Sequence, residues 1–118
     1  MSRTGSWVWD VQEARPVYWS AQMSRIHGHD SGQAPPGAEE YSQLFPAEDW
    51  PLWTSAVEHT VHNKGEFRCE CRIRTAHGAT RHVRSVGRAV RSSTDEVTEI
   101  IGTTLELGDP APGLAARE

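Results

Sequence analysis

The chain has 118 residues, of which 36% are hydrophobic, and a mean hydropathy of −0.61. That length suits one domain able to bury about two-thirds of its unfolded surface, and no apolar run approaches the length of a membrane span. The 12 basic and 16 acidic residues give a net charge of −4, which argues against nucleic acid as the main partner.

Residues 1–6 (MSRTGS) lack the charged and apolar regions of a secretory signal, and two free thiols, Cys69 and Cys71, suit a reducing cytoplasm, the expected compartment. Two short aromatic strands follow, Ser6–Asp10 (SWVWD) and Pro16–Ser20 (PVYWS), separated by a turn and able to pair as a hairpin. Ala21–His27 reads as a short helix with Ser20 as N-cap and Gly28 as terminator. His29–Glu40 is rich in Gly, Pro, Ser and Ala and reads as a loop. A second short helix is expected near Glu39–Leu44.

The main helix is expected from Trp50 to Asn63. Asp49 suits the N-cap, Pro51 falls in the first turn, and Gly65 follows the end, where a left-handed residue is wanted. Trp50, Trp53, Val57 and Val61 fall within about 80° on a helical wheel, and this stripe is expected to face a sheet. His59 and His62 lie on the opposite side. Phe67, Cys69, Cys71 and Ile73 then alternate strictly with Glu66, Arg68, Glu70, Arg72 and Arg74, as a half-buried strand requires. A turn at His77-Gly78, a β-rich run through Val90, a turn at Ser92–Asp95 and a third run from Val97 to Leu107 complete an antiparallel three-strand block. Cys69 and Cys71 share one face at a Cα separation of about 7 Å, at the limit for a disulfide, and read as two free thiols. Gly108–Glu118 has no core residues and reads as a linker or disordered tail behind a single domain covering residues 1–107.

GSWVWD, YWS, RIHG, FPAEDW, GEFRCECRI, HGATRHV and EIIGTT occur in that order. Together they resemble a PAS domain, of the variety with tryptophans on the first strand and a proline-acid-aspartate signature before the long helix. The resemblance covers about residues 5–107. It implies an α+β fold: a five-stranded antiparallel sheet with helices on one face, the last strand central between the first and fourth. It also implies a sensory or regulatory domain of a bacterial signalling protein, such as a sensor kinase or transcriptional regulator, controlling an attached or partner output domain.

Combined with the alternation, the resemblance assigns each sheet face a set of residues. Phe67, Cys69, Cys71 and Ile73 face inward on the third strand, Val83, Ser85 and Gly87 on the fourth, and Ile100, Gly102 and Thr104 on the fifth. With Trp9, Trp53, Val57 and Val61 these, apart from Phe67, are the expected pocket residues. The small ones among them leave volume for a mostly apolar ligand oriented by Ser85 and Thr104, or for Trp7, Trp9, Trp50 and Trp53 to fill. Both alternatives stand at this point: a ligand-sized cavity, or a ligand-free interaction module with a tryptophan-filled core. On the outer face Val8, Val86, Val90, Ile101 and Leu105 form an apolar patch rimmed by arginines. It is a candidate homodimer contact or a docking surface for a flanking helix. Glu106 stands where the family carries the aspartate of an Asp-Ile-Thr triplet that relays signals to the output; Gly108 replaces the threonine.

The cofactor signatures of the family are not matched. No Asn-Cys-Arg motif precedes the long helix, which excludes the covalent flavin adduct, and WPLWTSAV has no histidine to ligate haem. A non-covalent small molecule stays open. Cys69-x-Cys71 and His27-x-His29 lack the second pair a zinc site needs, so no metal is expected. The arginines of the third strand alternate with glutamates, as on a solvated face, without the interleaved aromatics that stack bases. No phosphate loop or catalytic triad is legible, and the domain is expected not to be an enzyme.

Overall fold

A computed structural model describes residues 4–30 and 32–108; the expected linker or tail from Asp109 onward lies outside the described residues. Five strands and three helices follow in the order β1 (Thr4–Asp10), β2 (Arg15–Trp19), α1 (Ala21–Ile26), α2 (Ala38–Ser42), α3 (Trp50–Asn63), β3 (Glu66–Arg74), β4 (Thr80–Arg91) and β5 (Val97–Leu107). The strands form one antiparallel sheet in the order β2-β1-β5-β4-β3, with β5 central between β1 and β4. The α+β architecture and strand order are those expected. The three helices pack on the face that carries Trp7, Trp9, Phe67, Ile73, Val83 and Ile100, all buried.

Local chemistry explains most of the boundaries. Ser20 caps α1 as expected: its Oγ accepts from Met23 N–H at 3.2 Å and also from Ser6 N–H at 2.9 Å, so the cap fastens the helix to β1. Helix α2 starts one residue earlier and ends two earlier than Glu39–Leu44, and buries only Tyr41. Helix α3 matches its expected limits.

Two of the terminal devices assigned to α3 differ. Asp49 makes no capping bond. Its carboxylate turns to the free edge of β3 instead, where it accepts from Arg72 N–H at 2.7 Å, Arg72 Nε at 3.1 Å and Arg72 Nη2 at 2.7 Å. A charge-assisted contact to an exposed sheet edge outweighs the cap, because that edge would otherwise present bare N–H groups. The left-handed residue at the end of α3 is Lys64 (φ 54°), one position before Gly65.

The rest of the β3 edge is treated similarly. Arg74 N–H donates to Leu44 O at 2.6 Å, and Thr60 Oγ1 donates to Glu66 O at 3.2 Å and to Ala56 O at 2.8 Å. Thr60 is completely buried, whereas Val61 is only half-buried. The core-facing stripe of α3 is therefore Trp53, Ala56, Val57 and Thr60 rather than one that runs on to Val61. The polar Thr60 is acceptable inside because its hydroxyl is spent on two carbonyls.

Candidate functional site

The inner sheet face is built around an aromatic cluster. Trp53, one turn into α3, projects onto the sheet and meets Trp7 edge-on at 5.4 Å between ring centroids, Phe67 at 4.8 Å and Trp9 at 5.8 Å. Tyr41 from α2 closes the far side against Trp9 at 5.7 Å and Phe45 at 5.1 Å. These are the inclined, edge-to-face arrangements that aromatic quadrupoles favour. Trp50 is partly buried at the margin of the cluster, 5.1 Å from Phe45.

The glycines read as potential ligand volume have an occupant from the chain itself. Gly102 pairs with Trp7 across β1 and β5 and with Gly87 across β4 and β5. A Cβ added at Gly102 would lie 2.5 Å from Trp7 Cζ2 and would also strike Val86 O, so the indole lies directly on the space that the missing side chain leaves. A Cβ at Gly87 would strike the backbone of Ile101. The indole is anchored by polar groups as well. Trp7 Nε1 donates to Thr104 Oγ1 at 2.9 Å, and the Thr104 and Ser85 hydroxyls share a hydrogen bond of 2.6 Å. The two hydroxyls that could orient a ligand are thus engaged with Trp7 and with each other.

Most of the other expected pocket residues, Trp9, Trp53, Cys69, Cys71, Ile73, Val83 and Ile100, are buried in this same core; Val57 packs against it from a half-buried position. Between the helices and the sheet a cavity of about 10 Å3 remains, bordered by Met23, His27, Tyr41, Trp53, Cys71 and Thr104, among others. That is space for about one water molecule. Neither a flavin nor a haem fits there as these side chains stand. Cys69 and Cys71 are buried and free. The hydrogen bond with Cys69 and burial push the Cys71 thiol up, so it stays protonated and packs as a small hydrophobe. Burial likewise holds the Tyr41 hydroxyl well above its ordinary range.

Sequence reasoning missed the part of the core contributed by α1, α2 and the residues just after each. Met23, Ile26, His27, Tyr41 and Phe45 are all buried. His27 stacks on Trp19 at 4.5 Å with 10° between the planes, and His29 meets the same indole edge-on at 5.5 Å. Burial, with His29 and Arg81 nearby, lowers the His27 pKa to about 3. Five buried ring nitrogens have no hydrogen-bond partner among the described residues: Trp9 Nε1, Trp19 Nε1, Trp53 Nε1, His27 Nδ1 and His29 Nε2.

The outer face is different in kind. Val86 is exposed, and Val8, Val90, Ile101 and Leu105 are half-buried. An open trough of about 670 Å3 runs over the middle of the sheet, walled by Ser6, Val8, Tyr18, Val86, Ile101 and Thr103, with Arg68 and Arg88 at its rim. Registers place Val8 beside Ile101 and Tyr18, and Val86 beside Thr103. Leu105 and Val90 lie outside the trough, Val90 next to the bulge at Val90/Arg91. Tyr18, half exposed, was not anticipated as part of this wall.

Fold and site together define a single-sheet α+β module with an aromatic core on one face and an uncovered apolar trough on the other. The family model of the PAS fold matches residues 16–104, and the chain belongs to that family. As such it is a module of the PAS sensor fold. No curated protein sequence matches the chain.

Among solved structures, the chain is similar to a sensory box histidine kinase/response regulator from Burkholderia thailandensis, with a TM-score of 0.74 and 21% identity over 90% of this chain and 78% of that one. The N-terminal domain of a diguanylate cyclase with PAS/PAC sensor from Marinobacter aquaeolei gives a TM-score of 0.74 and 18% identity over 87% and 94%. A PAS domain from Colwellia psychrerythraea gives 0.73 and 19% over 89% and 86%. At these identities the likeness is one of fold. Among the described residues no helix is long and apolar enough to cross a membrane.

Proposed function

We propose that this domain is a regulatory PAS module that works by contact: it docks a partner on its outer sheet face and passes the change to an output domain through the end of β5. The observation that carries this reading is the contrast between the faces. The inner one is filled by Trp7, Trp9, Trp53 and Phe67 and keeps about 10 Å3, while the outer one presents an apolar trough of about 670 Å3. Contiguous apolar surface of this kind marks an interface. The partner is a second copy of the chain or a helix flanking the domain, and Val8, Val86, Val90, Ile101 and Leu105 belong to the contact. Glu106, at the end of the central strand, is the relay residue. Output domains of the classes named for the similar structures, a histidine kinase or a diguanylate cyclase, suit a cytoplasmic bacterial module of this type.

Val86→Glu, in the trough, and Leu105→Glu, beyond its end, test the reading. Each places a carboxylate on the docking surface without touching the aromatic core. The expected result is a lower association state by sedimentation velocity, or loss of output control in the parent signalling protein. An unchanged association state together with unchanged output would contradict the proposal.

A second reading is favoured by one specific observation. Trp53 and His27 border the small cavity, and each has a buried ring nitrogen without a partner. Such groups are costly to leave unsatisfied. A small, mostly apolar ligand with one or two polar atoms would satisfy them if Trp7 swung aside. Its contacts would then be the pocket residues Trp9, Trp53, Val57, Cys69, Cys71, Ile73, Val83, Ser85, Gly87, Ile100, Gly102 and Thr104. A thermal-shift screen of small aromatics and fatty acids separates the two readings, since the filled core predicts no stabilising compound.

A further inference from the structure

Arg81, near the start of β4, shares the inward parity of Val83 and Ser85 and reaches two other elements. Its Nη1 donates to Arg25 O at 2.9 Å and to Ile26 O at 2.7 Å, the last carbonyls of α1. Its Nε faces Glu106 Oε2 at 3.7 Å. Both targets are negative: the end of a helix carries partial negative charge on its last carbonyls, and Glu106 is a carboxylate. One guanidinium therefore holds the end of α1 and the end of β5 together. Its fixed fork of donors can satisfy carbonyls and a carboxylate at once, which an ammonium on a flexible stem does less well. The end of α1 is also tied to the turn between β3 and β4, because Ala76 N–H donates to His27 O at 3.0 Å. His27 in turn borders the core cavity and stacks on Trp19.

We infer that Arg81 is a positioning residue that couples the end of β5 to the end of α1, and through His27 to the aromatic core. Movement of Glu106 loosens the arginine's hold on α1, and movement of α1 is felt at Glu106. The inference deepens the relay role given to Glu106 and rests on that reading. It concerns contacts within the domain, so its failure would leave docking on the outer face untouched.

Amide hydrogen exchange on the 118-residue chain tests it. Gly28 N–H (to Arg25 O, 2.9 Å), His29 N–H (to Ser24 O, 2.8 Å) and Ala76 N–H (to His27 O, 3.0 Å) report on the α1 end. In Glu106→Gln these amides are expected to exchange about threefold faster, the effect of losing one partly exposed ion pair. Ser20 N–H, bonded to Ser6 O at the far edge of the sheet, is expected to stay unchanged. Arg81→Gln is expected to accelerate the same α1-end amides, and the double variant to match Arg81→Gln alone. Unchanged or slower exchange at the α1 end in Glu106→Gln, or additive effects in the double variant, would overturn the coupling. If Arg81→Gln does not fold, Glu106→Gln decides the matter by itself.

Discussion

Trp7 is the residue on which the inner face turns. Its ring occupies the space over Gly102, its N–H ends at Thr104, and Thr104 in turn engages Ser85. Trp7→Ala should destabilise the fold by about 3–5 kcal/mol, since it removes a large buried side chain from a core that cannot fully collapse. The cavity it leaves has the shape of an indole and a hydroxyl placed to accept the indole N–H. Free indole is therefore expected to raise the thermal midpoint of Trp7→Ala and to leave the wild type unmoved; no rescue of the variant would argue that the core closes up without it. The alternation of Trp7 and Trp9 about Val8 made both indoles legible as inward-facing. That Trp7 and not a ligand fills the glycine space was not legible, because strand parity fixes the face of a side chain but not its rotamer. The same limit applies to Asp49: a carboxylate before a helix suits a cap, and only the tertiary fold reveals the β3 edge within its reach.

At the scale of elements, β3 is an edge strand kept from further pairing by the segment that leads into α3 and by α3 itself. Asp49 carries most of that task for Arg72. Arg72 holds its carboxyl below the usual carboxylate range, through the side-chain hydrogen bond first. A carboxyl with a depressed pKa contributes stability that is present above its unfolded value and lost as pH falls toward the folded one. Asp49→Ala is expected to lower the urea midpoint clearly more than Glu48→Ala, whose carboxylate also touches Arg72 but is 73% exposed. Equal effects of the two substitutions would show that coverage of the edge N–H is unimportant. Of the elements themselves, α3 and the three-strand block were readable because they are long and periodic. Helix α2 is five residues long, too short for a period to show, and the burial of Tyr41 went unseen for that reason. Thr60 was overlooked on α3 because a hydrophobic wheel does not count a threonine that satisfies its own hydroxyl.

For the whole molecule, His27 links acid stability to the core. It is buried and neutral, with a folded pKa of about 3 against an ordinary 6.5. As pH falls below about 6.5 the unfolded chain takes up a proton that the folded chain refuses. Stability then drops by about 1.4 kcal/mol per pH unit until the folded pKa is approached. Urea denaturation between pH 6.5 and about 4.5, above the usual carboxylate range, should show that slope, and His27→Gln should flatten it. A flat profile in the wild type would mean that His27 is solvated or paired.

The same filled core separates a module that works by contact from one that works by ligand occupancy, and native mass spectrometry of the purified chain tests that distinction most directly. The expected mass is that of the polypeptide alone, or of a whole-number assembly of it. A stoichiometric non-covalent adduct in the range of a small organic molecule, lost on denaturation, would contradict it.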